Sequence, residues 1–122
     1  MSNHIHLIWQ PLFGFTPSDI QSSFMKYTAQ QFKYSLFIND NQFLEEFKIN
    51  KHDSTYQFWK REALNIELIS PSMFNQKLIY IHNNPVTAGL CNFPKLYKYS
   101  SAEFYQNGTD RFGIITHYLG NK

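Results

Sequence analysis

His4 and His6 stand two positions apart in the alternating run from Asn3 to Trp9. If that run is extended, both imidazoles and Ile8 point one way, while Ile5, Leu7 and Trp9 point the other. Two neutral imidazoles so placed can grip one divalent metal ion. The same pattern also suits two surface or half-buried histidines on a strand. A second set of groups lies far downstream. Tyr80 and Asn84 are four residues apart, the spacing that brings two side chains onto one helix face. A phenol can act as a nucleophile, and an amide oxygen is a hard metal ligand. Lys77, three residues before Tyr80, shares that side, where its charge would favour a phenolate or neutralise a phosphate. The structural alternative is a core-edge tyrosine and an asparagine that ends a helix before Pro85.

The surrounding elements are legible from caps and periodicity. Thr16-Pro17-Ser18-Asp19 combines a capping hydroxyl, a proline suited to the first helical position and an acid at the positive end of the dipole. The spacing predicts a helix to about Phe37, with Met25, Ala29, Phe32 and Leu36 as its core stripe. Ile20, Tyr27 and Tyr34 lie on another face, which predicts contacts on two sides. Asp40 opens a short second helix carrying Phe43, Leu44 and Phe47. The polar run from Lys48 to Thr55 is a loop, Tyr56 to Lys60 a short strand, and Leu64 to Ile69 alternates as another. Ser70-Pro71 starts a third helix with Phe74, Leu78 and Ile81 as its buried stripe, and Pro85 is expected to stop it. Loop and short helix fill the remainder.

At 122 residues the chain is read as one domain, residues 1–122, with a tail from about 106. Hydrophobic residues make up 43% and aromatics 18%, enough to build a packed interior rather than a disordered tail. The apolar runs are too short for a membrane span, and the start lacks the basic-then-apolar order of a secretory signal. Cys91 is the only cysteine, which excludes an internal disulfide and a cysteine-based zinc site. A reducing, cytoplasmic setting is expected. The net charge of +2 is compatible with a nucleic-acid partner but does not argue for one.

Met1-Ser2-Asn3-His4-Ile5-His6-Leu7-Ile8-Trp9 resembles the HUH strand of insertion-sequence single-tyrosine transposases. Tyr80-Ile81-His82-Asn83-Asn84-Pro85-Val86-Thr87-Ala88-Gly89-Leu90 is similar to the tyrosine helix of their REP-associated branch, with its Tyr-Ile-x-x-Asn-Pro-Val-x-Ala-Gly-Leu run. Phe58-Trp59 and Tyr99-Ser100-Ser101 agree with that branch in content and order, so the resemblance extends from Met1 to about Tyr105.

The resemblance implies an α+β fold, an antiparallel sheet with packed helices of the ferredoxin/RRM-like HUH nuclease type. It implies that His4 and His6 hold Mg²⁺ or Mn²⁺, that Asn84 supplies a third polar ligand, and that Tyr80 is the nucleophile. Tyr80 would form a 5′-phosphotyrosine link to single-stranded or hairpin DNA and leave a free 3′-hydroxyl. A phenol of pKa about 10 needs help at neutral pH, and a metal on the phosphate oxygens supplies it. Lys26 and Lys33, seven apart on one helix face, and Lys48, Lys51, Lys60 and Arg61 around the middle loop are candidate phosphate contacts. Trp59 or Tyr56 could stack on a base. Solvated lysines and a buried tryptophan are the bland alternative.

Family members carry a strand, a helix and a further strand leading into the HUH motif, so the domain is expected to be N-terminally truncated. A catalytically impaired DNA-binding remnant is therefore the alternative function, and a monomer or a homodimer is compatible with the family. An unrelated His-x-His metalloenzyme fits less well. A metallo-β-lactamase-like hydrolase would need Asp and His after the pair, where Leu7, Ile8 and Trp9 stand, and a cupin would be almost all strands. A plain interaction module leaves the agreement at both motifs unexplained.

Overall fold

The computed structural model describes every residue except 51, 53, 54, 61, 62, 121 and 122. Lys51 and Arg61, two of the candidate phosphate contacts, thus lie outside the described residues. The chain resolves into two compact units, Trp9–Asn65 and Met1–Ile8 with Ile66–Lys122.

In the Trp9–Asn65 unit, helix α1 spans Pro17–Asn39. Thr16 is extended (φ −92°, ψ 154°), and its hydroxyl oxygen accepts the Asp19 backbone N–H at 3.2 Å. Pro17 fills a position whose N–H would have had no partner in the helix. The helix ends at Asp40, whose N–H donates to the Leu36 carbonyl at 2.8 Å. The Asp40 carboxylate at once caps α2 (Asn41–Leu44) by accepting the Phe43 N–H at 3.0 Å. A single 3₁₀ turn, Glu45–Phe47, follows.

Leu44, only 1% exposed, is the centre of this unit's core. Around it, Phe47 stacks on Phe58 at 4.8 Å between ring centres, and Phe32 meets Phe58 and Trp59 at 5.9 Å each. The expected stripe of α1 is largely on the covered side: Met25, Ala29 and Leu36 are half-buried, beside Phe24 and Thr28, while Phe32 keeps substantial exposure. The second face is not a contact face, because Tyr27 and Tyr34 are exposed.

In the other unit, helix α3 spans Pro71–Thr87 and starts as its sequence predicts, with the Ser70 hydroxyl oxygen accepting the Met73 N–H at 3.2 Å. Phe74, Leu78 and Ile81 lie half-buried on its covered side. Pro85 does not stop the helix: it sits inside it and is buried. So near the end, a proline forfeits one bond, to the carbonyl four residues back, and its packed ring offsets that loss. The last carbonyls are taken up by the Ala88 N–H to Asn84 at 3.0 Å, Gly89 to Val86 and Leu90 to Pro85 at 2.9 Å each. Gly89, at φ 73°, makes the reversal that a residue with a β-carbon would resist. A 3₁₀ turn at Pro94–Leu96 and helix α4 (Ala102–Asn107) complete the unit. Its covered centre holds Ala102, 6% exposed, and Pro85, with Phe74 stacked on Tyr118 at 4.3 Å.

The expected antiparallel sheet of ferredoxin/RRM-like type is corrected by this architecture. The described residues contain helices and 3₁₀ turns but no strand; the sole β feature among them is an isolated antiparallel bridge between Lys48 and Tyr56. The runs Asn3–Trp9, Tyr56–Lys60 and Leu64–Ile69 alternate in sequence, yet alternation only describes how side chains project. A strand also needs a neighbour to take its N–H and C=O groups. Among the described residues no backbone–backbone hydrogen bond reaches residues 1–11, and Ile5 and Leu7 remain exposed. No helix among the described residues is long and apolar enough to cross a membrane.

Candidate metal and nucleophile site

Four of the residues singled out by spacing meet within the unit that contains α3. The helix carries Tyr80 and Asn84 on one face, one turn apart, close to its C-terminal end. The segment before Ile8 brings His4 and His6 to that face. The Nε2 atom of His4 lies 3.4 Å from Oδ1 of Asn84, eighty residues away in sequence. The two imidazoles are edge to face, with ring centres 4.9 Å apart and an interplanar angle of 78°. His6 in turn meets the Tyr80 ring edge-on at 5.8 Å. Tyr80 is 57% exposed.

Both ring nitrogens of His4 have an oxygen within hydrogen-bond distance, and the tautomer decides which of them donates. In the tautomer protonated at Nδ1, that N–H donates to the Asn3 side-chain oxygen 2.7 Å away and leaves Nε2 as the free lone pair. That is the second partner a metal-binding imidazole ordinarily has. The Asn84 oxygen lies 3.4 Å from Nε2, within reach of a hydrogen bond when that nitrogen carries the proton.

His6 has its pKa lowered below the ordinary histidine value, by desolvation of the ring first and then by the neighbouring His4. Both causes favour the neutral imidazole that a metal needs. Two imidazoles and an amide oxygen are a donor set that a divalent cation could take. Among the described residues, no group of three or more His, Cys, Asp or Glu side chains could hold a metal, so the amide of Asn84 would have to serve as the third ligand.

Lys77 is half-buried one turn before Tyr80 and forms no ion pair among the described residues. The remaining candidates for DNA contact belong to the other unit. Lys26 and Lys60 are exposed. Lys33 sits 5.0 Å above the Tyr56 ring, a cation–π contact. Trp59 is half-buried: its indole N–H donates to the Thr28 hydroxyl at 2.9 Å, and its ring meets Phe24 and Phe32. That placement is the bland alternative for Trp59, a packing residue.

Two features escape the sequence patterns. Asn3, which orients His4, lies next to it, where an ideal strand would turn the two side chains to opposite faces. His82 bonds the Ser101 hydroxyl at 2.9 Å across nineteen positions, a separation with no periodic signature, and burial lowers its pKa.

No protein-family model, curated protein or solved structure matches the chain.

Proposed function

We propose that this chain is a DNA strand-transfer enzyme of the single-tyrosine HUH type, cytoplasmic, acting on single-stranded or hairpin DNA with Mg²⁺ or Mn²⁺. The observation that carries the reading is the meeting of His4, His6, Tyr80 and Asn84 from opposite parts of the sequence at one exposed face.

A divalent ion held by His4, His6 and Asn84 would supply positive charge to a scissile phosphate. Asn3, 2.7 Å from Nδ1 of His4, would accept its N–H in the tautomer that presents Nε2. His6 stays neutral and lies against the Tyr80 ring, limiting its rotation. The Tyr80 oxygen attacks phosphorus, and the bond from phosphorus to the 3′-oxygen breaks. The phenol gives its proton to solvent and the departing 3′-oxygen takes one up, so a 5′-phosphotyrosine ester and a 3′-hydroxyl result. One phosphoester replaces another, and a second 3′-hydroxyl can reverse the step and rejoin the strand. Lys77 adds positive charge along the same helix.

The test is a protein–DNA adduct on a denaturing gel after incubation with hairpin DNA and Mn²⁺. The adduct is expected with the native chain and lost with Tyr80→Phe, with His6→Ala and with chelator. An adduct that survives Tyr80→Phe overturns the assignment of the nucleophile.

A second reading, a remnant that binds DNA without cutting it, is favoured by one observation. The segment bearing both histidines has no backbone hydrogen bond among the described residues, so side chains alone position it. Small displacements of reacting groups cost orders of magnitude in rate. This reading expects salt-sensitive hairpin binding with no adduct.

A further inference from the structure

We propose that the cleft between α3, the Pro94–Leu96 turn and α4 holds an unpaired nucleotide of the DNA strand, a base on Phe93 with its phosphate toward Lys95. The proposal rests on the strand-transfer reading for the identity of the ligand, but not on the chemistry at Tyr80.

The cleft has a volume of about 450 Å³ and is lined by Ile79, His82, Asn83, Phe93, Lys95 and Gln106, among others. Its chemistry is mixed in the proportions a nucleotide needs. Phe93 is 62% exposed and stacks on no other ring among the described residues, so its face is free. Lys95, two residues on, forms no ion pair among the described residues. The nearby carboxylate of Glu103 is bonded to Arg111 at 2.5 Å and also feels the charge of Lys95, without an ion pair forming between the two. Asn83 and Gln106 contribute side-chain amides with no hydrogen-bond partner among the described residues. Each offers a donor and an acceptor together, the pairing that matches a base edge. The floor is closed by His82, anchored to Ser101 and held in its neutral form by burial.

An aromatic face, a cation and paired amide groups are the elements of single-strand recognition: stacking for the base, charge for the backbone, amides for the edge. Position supports the same occupant. Asn83 lines this cleft and also the shallow depression beside Tyr80 and Asn84. A strand whose phosphate lies at Tyr80 can therefore place a flanking nucleotide in the cleft by passing over one residue of α3. An unpaired nucleotide is required, because a base inside a duplex has no free face to give Phe93.

The test uses the full chain and a short single-stranded oligonucleotide carrying 5-iododeoxyuridine, with chelator present so that no strand cleavage contributes. Irradiation is expected to crosslink the peptide that contains Phe93 or the one that contains Tyr105, which also lines the cleft, in the native chain and in Tyr80→Phe alike. Phe93→Ala, which removes an exposed ring, is expected to weaken binding about tenfold. Lys95→Ala is expected to weaken it and to flatten its dependence on salt. Crosslinks confined to other peptides, unchanged affinity in Phe93→Ala, or no binding by the native chain would each overturn the cleft assignment. Crosslinking in the cleft without any Tyr80 adduct in Mn²⁺ keeps the cleft and removes the strand-transfer reading. An adduct without crosslinking in the cleft does the reverse.

Discussion

Trp59 and Phe93 are both aromatic residues in irregular segments beside a long helix, and the two units of the molecule use them in opposite ways. Trp59 donates its N–H to Thr28 and lies against Phe24 and Phe32. Its faces and its polar atom are spent on packing. Phe93 touches no other ring among the described residues and stands beside an unpaired lysine. The same contrast extends through the units. Around Leu44, rings close on one another at 4.8 to 6.2 Å and leave little for a ligand to use. Around Asn84, His4 lies 3.4 Å from the amide oxygen, His6 meets the Tyr80 ring, and Tyr80 stays exposed. Residue type says less about function than whether the residue's own bonding capacity is already satisfied.

The largest effects should separate the two regions cleanly. Tyr80→Phe is expected to remove the covalent adduct altogether while shifting the urea midpoint little, because an exposed hydroxyl holds nothing in place. Leu44→Ala should do the opposite. It empties the most deeply buried position of its unit and is expected to cost about 2–5 kcal/mol in urea unfolding. Adduct formation at a temperature where that variant is still folded should continue. If Tyr80→Phe destabilised the chain as much as Leu44→Ala, Tyr80 would be a packing residue and the contrast would collapse.

Much of this is legible in the sequence, and what is not depends on contacts beyond the local pattern. Thr16-Pro17 and Ser70-Pro71 start helices where they were expected, since a cap and a first-turn proline act over three or four residues. The covered stripe of α3 followed from periodicity in the same way. The meeting of Tyr80 with Asn84 is local too, whereas their meeting with His4 and His6 came only through a family resemblance, for no short-range pattern links residues eighty apart. Pro85 was misjudged because its cost depends on where it falls in the helix and on what covers its ring. The sheet was misjudged for a deeper reason. Asn3–Trp9 alternates as a strand does, but pairing is a property of two segments, and no backbone group among the described residues bonds to the backbone of this one. Trp59 is open in sequence to base stacking or to packing, and its bond to Thr28, thirty-one residues earlier, has no short-range signature.

A smaller effect sharpens the contrast between the rings. Trp59→Phe keeps an aromatic body between Phe24 and Phe32 but deletes the N–H to Thr28. Thr28 still donates to the Phe24 carbonyl at 2.8 Å, so only its acceptor role is lost. The expected cost is about 1 kcal/mol in urea unfolding, with oligonucleotide affinity unchanged. Affinity falling together with stability would restore Trp59 as a DNA contact and weaken the case that free faces, rather than ring types, mark the ligand surface.

The smallest expected effect concerns the chain after α4. One Asp110 oxygen accepts the N–H groups of Phe112 at 3.1 Å and Gly113 at 2.9 Å, and the other accepts that of Ile115 at 2.7 Å. These bonds, the one to Ile115 foremost, hold its carboxyl below the usual carboxylate range. A group whose pKa is lowered on folding contributes stability that is present above its unfolded value and lost as pH falls through the folded one. Asp110→Asn should therefore be less stable than the native chain at neutral pH, and the gap should narrow in acid below the ordinary carboxylate value. Glu103, lowered by its hydrogen bond to Arg111, adds an acid dependence that both proteins keep, so it is the difference between them that reports on Asp110. Urea midpoints measured from neutral pH into that acidic range decide the matter. Parallel curves would mean that the carboxylate is not what orders this turn, and that its backbone is held by the packing of Tyr118 on Phe74.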